Sequence, residues 1–197
     1  MSQLLTRSSI EILLFTLLVA IALMLIVARF TVFTATKGKS TWGSYLYDPI
    51  VAINLLASAQ CFFAGSYSQY PTKIAALILY IFAVTLFLWS IRTTSTLRFA
   101  MSESPAELIT HGAFQFSRHP FYSSYILTWA ASSILYESII LWSTSIYLFA
   151  FYFYSATQEE KAMENGPHAA AYQVYQQEVG MFLPRITSWL RSLSTHS

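Results

Sequence analysis

Five apolar runs without a single charge, at positions 12–28, 49–65, 74–91, 121–136 and 139–156, set the rhythm of the chain. A helix needs about 20 apolar residues to cross a hydrocarbon core of roughly 30 Å, and these runs come close to that length. The pattern predicts an all-α integral membrane protein with five transmembrane helices. Only Glu137 and Ser138 separate the last two runs, so those helices must pack antiparallel as a C-terminal hairpin.

The polar segments between the runs fill in the plan. Lys37, Gly38, Lys39 and Ser40 form a polar loop, and Trp42, Tyr45 and Tyr47 after it suit a headgroup interface. Asn54, Ser58 and Gln60 lie within the second run, where polar side chains are expected to face other helices. A short turn at 67–72 ends at Pro71, and residues 92–119 form a longer loop outside the hydrocarbon. Beyond Ala156 the chain turns polar, with Glu159 and Glu160 expected just past the end of the fifth span. Tyr172 and Tyr175 stand three apart, on one helical face. Phe182, Leu183, Pro184 and Trp189 belong to an interfacial tail. The first run is too long for a signal peptide's apolar region and lacks a small-residue cleavage site, so it is read as a membrane helix. The whole is one domain, with a three-helix membrane region at 1–92 and a more polar region at 93–197.

Composition agrees. The 197 residues are 55% hydrophobic and only 10% charged, against roughly 25% charged in an ordinary soluble domain. A net charge of +2 gives no reason to expect nucleic acid. The single Cys61 excludes a disulfide within the chain and a cysteine-rich metal site. The four histidines lack metal-ligand spacing, so no metal is expected. With five spans, one face receives Arg29, Lys37, Lys39, Arg92, Arg98, Arg118, Lys161, Arg185 and Arg191, and the other only Arg7 and Lys73. The excess of basic residues places the 92–119 loop and the C-terminus in the cytosol and the N-terminus on the opposite side.

Polar chemistry concentrates at 108–122. Pro120 stands where the fourth helix should begin, a position that costs proline nothing. A helix start carries a positive dipole end and attracts anions, and Arg118 could add a bidentate contact. A basic interfacial anchor would use the same residues. The hairpin should bring Glu159 and Glu160 back beside Arg118, His119 and Tyr122, where they form either part of a site or a salt bridge stapling two helices.

Gly112-Ala-Phe-Gln-Phe-Ser-Arg118-His119-Pro120-Phe-Tyr122 resembles the Gly-x-Tyr-x3-Arg-His-Pro-x-Tyr signature of the isoprenylcysteine carboxyl methyltransferase family, to which the phospholipid methyltransferases are related. Leu108-Ile109 upstream matches that family's Leu-Val pair, and Glu159-Glu160, Tyr172-x2-Tyr175 and Pro184 match its downstream block. The resemblance covers roughly 98–185. It implies S-adenosyl-L-methionine as cofactor, bound by Leu108, Ile109, Gly112, Phe114, His119, Pro120, Tyr122, Glu159 and Glu160. It casts Arg118 as orienting an anionic group and Glu160 as holding the cofactor's cationic part. The acceptor would be lipid-like or prenylated and would enter from the bilayer. Phe114 replaces the signature's tyrosine, and no arginine stands in 151–158, where prenylcysteine-type enzymes place one. The choice between carboxyl O- and amine N-methylation therefore stays open. The alternatives are an NADPH-dependent membrane reductase of related architecture and a non-enzymatic membrane scaffold.

Overall fold

The computed structural model describes residues 8–31, 42–66, 69–95 and 108–185. Six α-helices follow in order: α1 (Ser9–Thr31), α2 (Trp42–Ala64), α3 (Tyr70–Ser95), α4 (Pro120–Tyr136), α5 (Ile139–Glu164) and α6 (Ala169–Glu178). One turn of 3-10 helix, Gly112–Gln115, precedes α4. The described residues hold no strand. The all-helical reading stands.

Among the described residues three helices are long and apolar enough to cross a membrane: Tyr45–Ala64, Tyr70–Thr94 and Ile139–Glu164. Within the most apolar windows of these helices only 17, 33 and 28 % of the residues are buried in the protein. So large an apolar remainder requires lipid rather than water. α4, with 17 residues, is shorter, and the described apolar stretch of α1 is Ser9–Met24.

Several boundaries differ from the sequence reading. α2 begins at Trp42, with Pro49 inside it, so Trp42, Tyr45 and Tyr47 lie in the helix rather than in a loop. α5 runs on to Glu164 instead of stopping near Ala156, so Glu159 and Glu160 sit on helix rather than beyond it. The charges at 159–161 mark where apolarity ends, not where backbone hydrogen bonding ends. In α2, Asn54 and Ser58 are buried as expected, but Gln60 is exposed. Residues four apart share a helical face, whereas Gln60 lies two residues past Ser58 and points away. Lys37, Lys39, Arg98, Trp189 and Arg191 lie outside the described residues.

The chain divides into two compact units: Met1–Val84 with Tyr125–Phe151, and Thr85–Ser124 with Tyr152–Ser197. The first contains the apolar core, in which Leu14, Leu18 and Ile21 of α1 cluster with Ala57, Phe62, Ala76, Tyr80, Ala131, Leu135 and Leu141. In α1, α3 and α4 a spacing of three or four puts the core residues on one helical face. Lipid is as apolar as leucine, so polar pairs supply much of the helix-to-helix specificity, at about 0.6 kcal/mol each. The Nδ2 amide of Asn54 donates to Thr144 Oγ1 at 2.8 Å, and Tyr80 and Ser132 hydroxyls meet at 2.8 Å. Ser133 and Ser145 join α4 to α5 at 2.9 Å. Lys73 pairs with Glu11 at 2.6 Å. The α4–α5 connection is the tight turn expected at Glu137-Ser138, with Glu137 in the left-handed region at φ 50°.

The second unit contains the 3-10 turn, the start of α4, the end of α5, α6 and the segment after it. Gly166 ends α5, its N–H reaching Met163 O at 3.1 Å. Pro167 follows and cannot continue a helix. α6 then presents Tyr172 and Tyr175 as its buried residues, as their spacing indicated.

Candidate functional site

The site is built in the second unit from the start of α4 outward. Ser123 N–H bonds the carbonyl of His119, which closes the first turn behind Pro120. The segment after α6 pairs with this entry: Arg118 N–H donates to Gly180 O at 2.9 Å and His119 N–H to Met181 O at 3.1 Å. Ser123 Oγ adds a bond to Phe182 O at 2.8 Å. Gly180 permits the close approach, since a Cβ there would run into the carbonyl oxygen of Leu183.

Arg118 is the centre of the connections. Its Nε and Nη2 hold the two oxygens of Glu160 at 2.9 and 3.1 Å. Its Nη1 donates to the carbonyls of Gln176 at 3.2 Å and Val179 at 2.5 Å. At least four of the five guanidinium N–H donors are thus spent inside the protein. Gln176 Nε2 also reaches Glu160 at 3.3 Å and Glu164 at 2.8 Å. Glu160 is 7 % exposed. It continues the buried stripe of α5 through Leu148, Tyr152 and Ala156 at four-residue steps, which explains why it turns inward while Glu159 is exposed.

His119 lies between the two glutamates. Its Nδ1 is 3.3 Å from Glu159 and its Nε2 is 3.1 Å from Glu160. A neutral imidazole has one N–H and could donate to only one of them, so this arrangement suits imidazolium. Burial by itself pulls the His119 pKa down, but hydrogen bonds and charge from Glu159 and Glu160 outweigh it and leave the value raised above an ordinary imidazole. Tyr122 donates to Glu159 at 2.5 Å. Its ring stacks on His119 at 5.7 Å and on Tyr152 at 5.4 Å. Phe182 lies 6.2 Å from His119 on another side.

The turn before α4 is anchored separately. Gly112 sits at φ 61°, and a Cβ on it would collide with the Thr93 side chain. Thr93 Oγ1 accepts the Ala113 N–H at 3.2 Å. Tyr175 OH donates to Phe114 O at 2.6 Å. Burial first, and then the Tyr172 hydroxyl, keep Tyr175 a neutral donor by raising its pKa.

The structure therefore brings together Arg118, His119, Tyr122, Glu159 and Glu160, with Pro120 buried among them. Phe114 joins through its carbonyl to α6, and Gly112 serves the turn. Leu108 and Ile109 are half-buried in the irregular lead into that turn. Sequence reasoning missed Ser123, Tyr152, Gln176 and the carbonyls of Val179, Gly180, Met181 and Phe182. The four-residue step from Ala156 back to Tyr152 could have revealed the tyrosine, but a lone glutamine and backbone acceptors leave no signature. Among the described residues no three His, Cys, Asp or Glu side chains are placed to hold a metal ion.

The described residues form an all-helical chain, with apolar helices suited to a membrane and paired glutamates closed on an Arg-His-Pro helix start. Residues 71–166 match the phospholipid methyltransferase family, a stretch that takes in α3, the 3-10 turn, α4 and α5. Over that stretch the chain is similar to a family of membrane methyltransferases, the same group that its signature resembles, whose reaction is methyl transfer to lipid-like substrates. The match begins upstream of the resemblance read from the motifs and stops before α6. No curated protein and no solved structure matches the chain.

Proposed function

We propose that the protein transfers a methyl group from S-adenosyl-L-methionine to a lipid-like or prenylated acceptor that enters from the bilayer. The observation that carries this reading is the closed cluster of Arg118, His119, Tyr122, Glu159 and Glu160 inside the family-matched stretch. The donor set fits the cofactor. Glu159 and Glu160 suit its cationic groups, and the stacked rings of His119, Tyr122 and Tyr152 suit a sulfonium or an adenine. The positive end of α4 suits its carboxylate. Leu108, Ile109 and Phe114 complete the apolar lining in this proposal, and Gly112 and Pro120 fix the backbone that presents them.

When bound, the cofactor supplies an electrophilic methyl group. The protein's task is to hold it in line with the acceptor's nucleophile, an effect worth about 7–11 kcal/mol of barrier in well-oriented reactions. We assign Glu160 to the cationic part of the cofactor. Arg118, expected from sequence to orient an anion, has most of its donors engaged by Glu160 and two carbonyls. We therefore give it the task of positioning Glu160 and the 179–182 segment. We further propose five spans, with the site and the C-terminus on the cytosolic side, where the basic residues fall.

Calorimetric titration of the purified protein with S-adenosyl-L-methionine tests the reading, with NADPH as the comparison. Binding of the first alone, weakened at least tenfold in Glu160→Gln, is the expected result. A flat trace from folded protein, or binding of NADPH instead, contradicts it.

A further inference from the structure

The same cluster has a charge balance that any cationic ligand must disturb. Glu159 and Glu160 of α5 carry two negative charges. Arg118 neutralises one through its fork on Glu160. His119 faces both carboxylates, one on each ring nitrogen, and as imidazolium neutralises the other. The other groups in contact with His119 bring no further charge, and Glu164 stands one hydrogen bond further out, on Gln176. Tyr122, on its own helix, donates a hydroxyl to Glu159. From α6, Gln176 reaches Glu160 with a neutral amide, and Tyr172 is held protonated, its pKa pushed up to about 12 by burial and then by Glu160. The segment after α6 offers the Met181 carbonyl and the Phe182 ring.

Arg118 cannot give up its charge, because guanidinium stays protonated in proteins. Histidine can, near neutral pH. Glu159 is 55 % exposed, so it is the carboxylate that an incoming ligand meets first.

We infer that His119, as a proton-bearing imidazolium, holds the place between Glu159 and Glu160 that a cationic ligand group takes, so that binding of such a ligand expels this proton. The inference rests on the proposed cofactor reading and adds a coupling to it. No bond to carbon changes. One N–H of the imidazolium breaks, the electron pair stays on the ring nitrogen, and the proton passes to buffer. The neutral ring remains stacked on Tyr122 as part of the wall.

Titration of the whole protein in detergent with S-adenosyl-L-methionine, in two buffers of different ionisation enthalpy and across pH 6–9, tests this directly. The expected result is a binding heat that depends on the buffer, corresponding to release of up to about one proton per site, and an affinity that rises with pH by up to about tenfold per unit. Glu159→Gln, an exposed change that leaves the Arg118 fork on Glu160 in place, should shrink the release, and His119→Asn should make the affinity independent of pH. In carbon-13 histidine spectra, the resonance that disappears in His119→Asn should move from the imidazolium to the neutral position on saturation. Equal heats in both buffers together with an unmoved resonance would overturn the inference while leaving the cofactor reading intact. Release of the same size from His119→Asn would also overturn it. Failure of folded wild-type protein to bind would instead remove the reading on which the inference stands.

Discussion

Gly112 meets two demands that no other residue satisfies together. Its φ of 61° lies in the left-handed region, and the Thr93 side chain fills the space a Cβ would need. Gly112→Ala should therefore lower stability by at least about 1–2 kcal/mol, seen as a lower unfolding temperature in detergent and a loosened 3-10 turn. His119 makes a second case at this scale. Its pKa is raised in the folded protein by Glu159 and Glu160. The stability it contributes is therefore fully present below its unfolded value of roughly 6.5 and is lost as pH rises through the higher folded value. The ligand-free protein should become less stable from pH 6 to pH 9, and His119→Asn should flatten that part of the profile. Thermal unfolding across the pH range checks both.

At the scale of elements, the hairpin and the clasp explain how the site is assembled. Glu137 takes a left-handed conformation between α4 and α5, with its N–H on Ser133 O at 2.9 Å. Glycine adopts that conformation without a steric penalty, at an entropic cost to the unfolded chain. Glu137→Gly should therefore raise stability by about 0.5–1 kcal/mol, read as a higher unfolding temperature. Arg118 joins α5 to the end of α6 and the segment behind it through a planar fork. Lysine offers a point charge without that geometry. Arg118→Lys should cost about 2 kcal/mol, roughly two hydrogen bonds' worth, and expose the chain near 179–185 to protease. Cleavage there in the variant and not in wild type is the expected observation.

For the whole molecule, the sequence disclosed what depends on absence of charge and on short connections. The apolar runs stand out because a helix in lipid tolerates almost no charge, and all five open or close within a few residues of an end of α1 to α5. The meeting of Arg118, His119 and Tyr122 with the glutamates followed from a two-residue turn between antiparallel helices. What stayed hidden depends on helical phase or on backbone. Composition groups Gln60 with Asn54 and Ser58, although phase separates it from them. The continuation of α5 through Glu164 is hidden because its polar last turn looks like an end in the sequence. The carbonyls of Val179, Gly180 and Met181 that tie the last described segment to α4 could belong to any residue type. The proposed function requires the α4 start and the α5 end to form a cofactor site together. Ultraviolet cross-linking of radiolabelled S-adenosyl-L-methionine to the purified protein, mapped by mass spectrometry, addresses it most directly. Label within 108–122 or 152–160, competed away by unlabelled cofactor, is the expected outcome. Competed label confined to α1 or α2, or no competed label on folded protein, would contradict it.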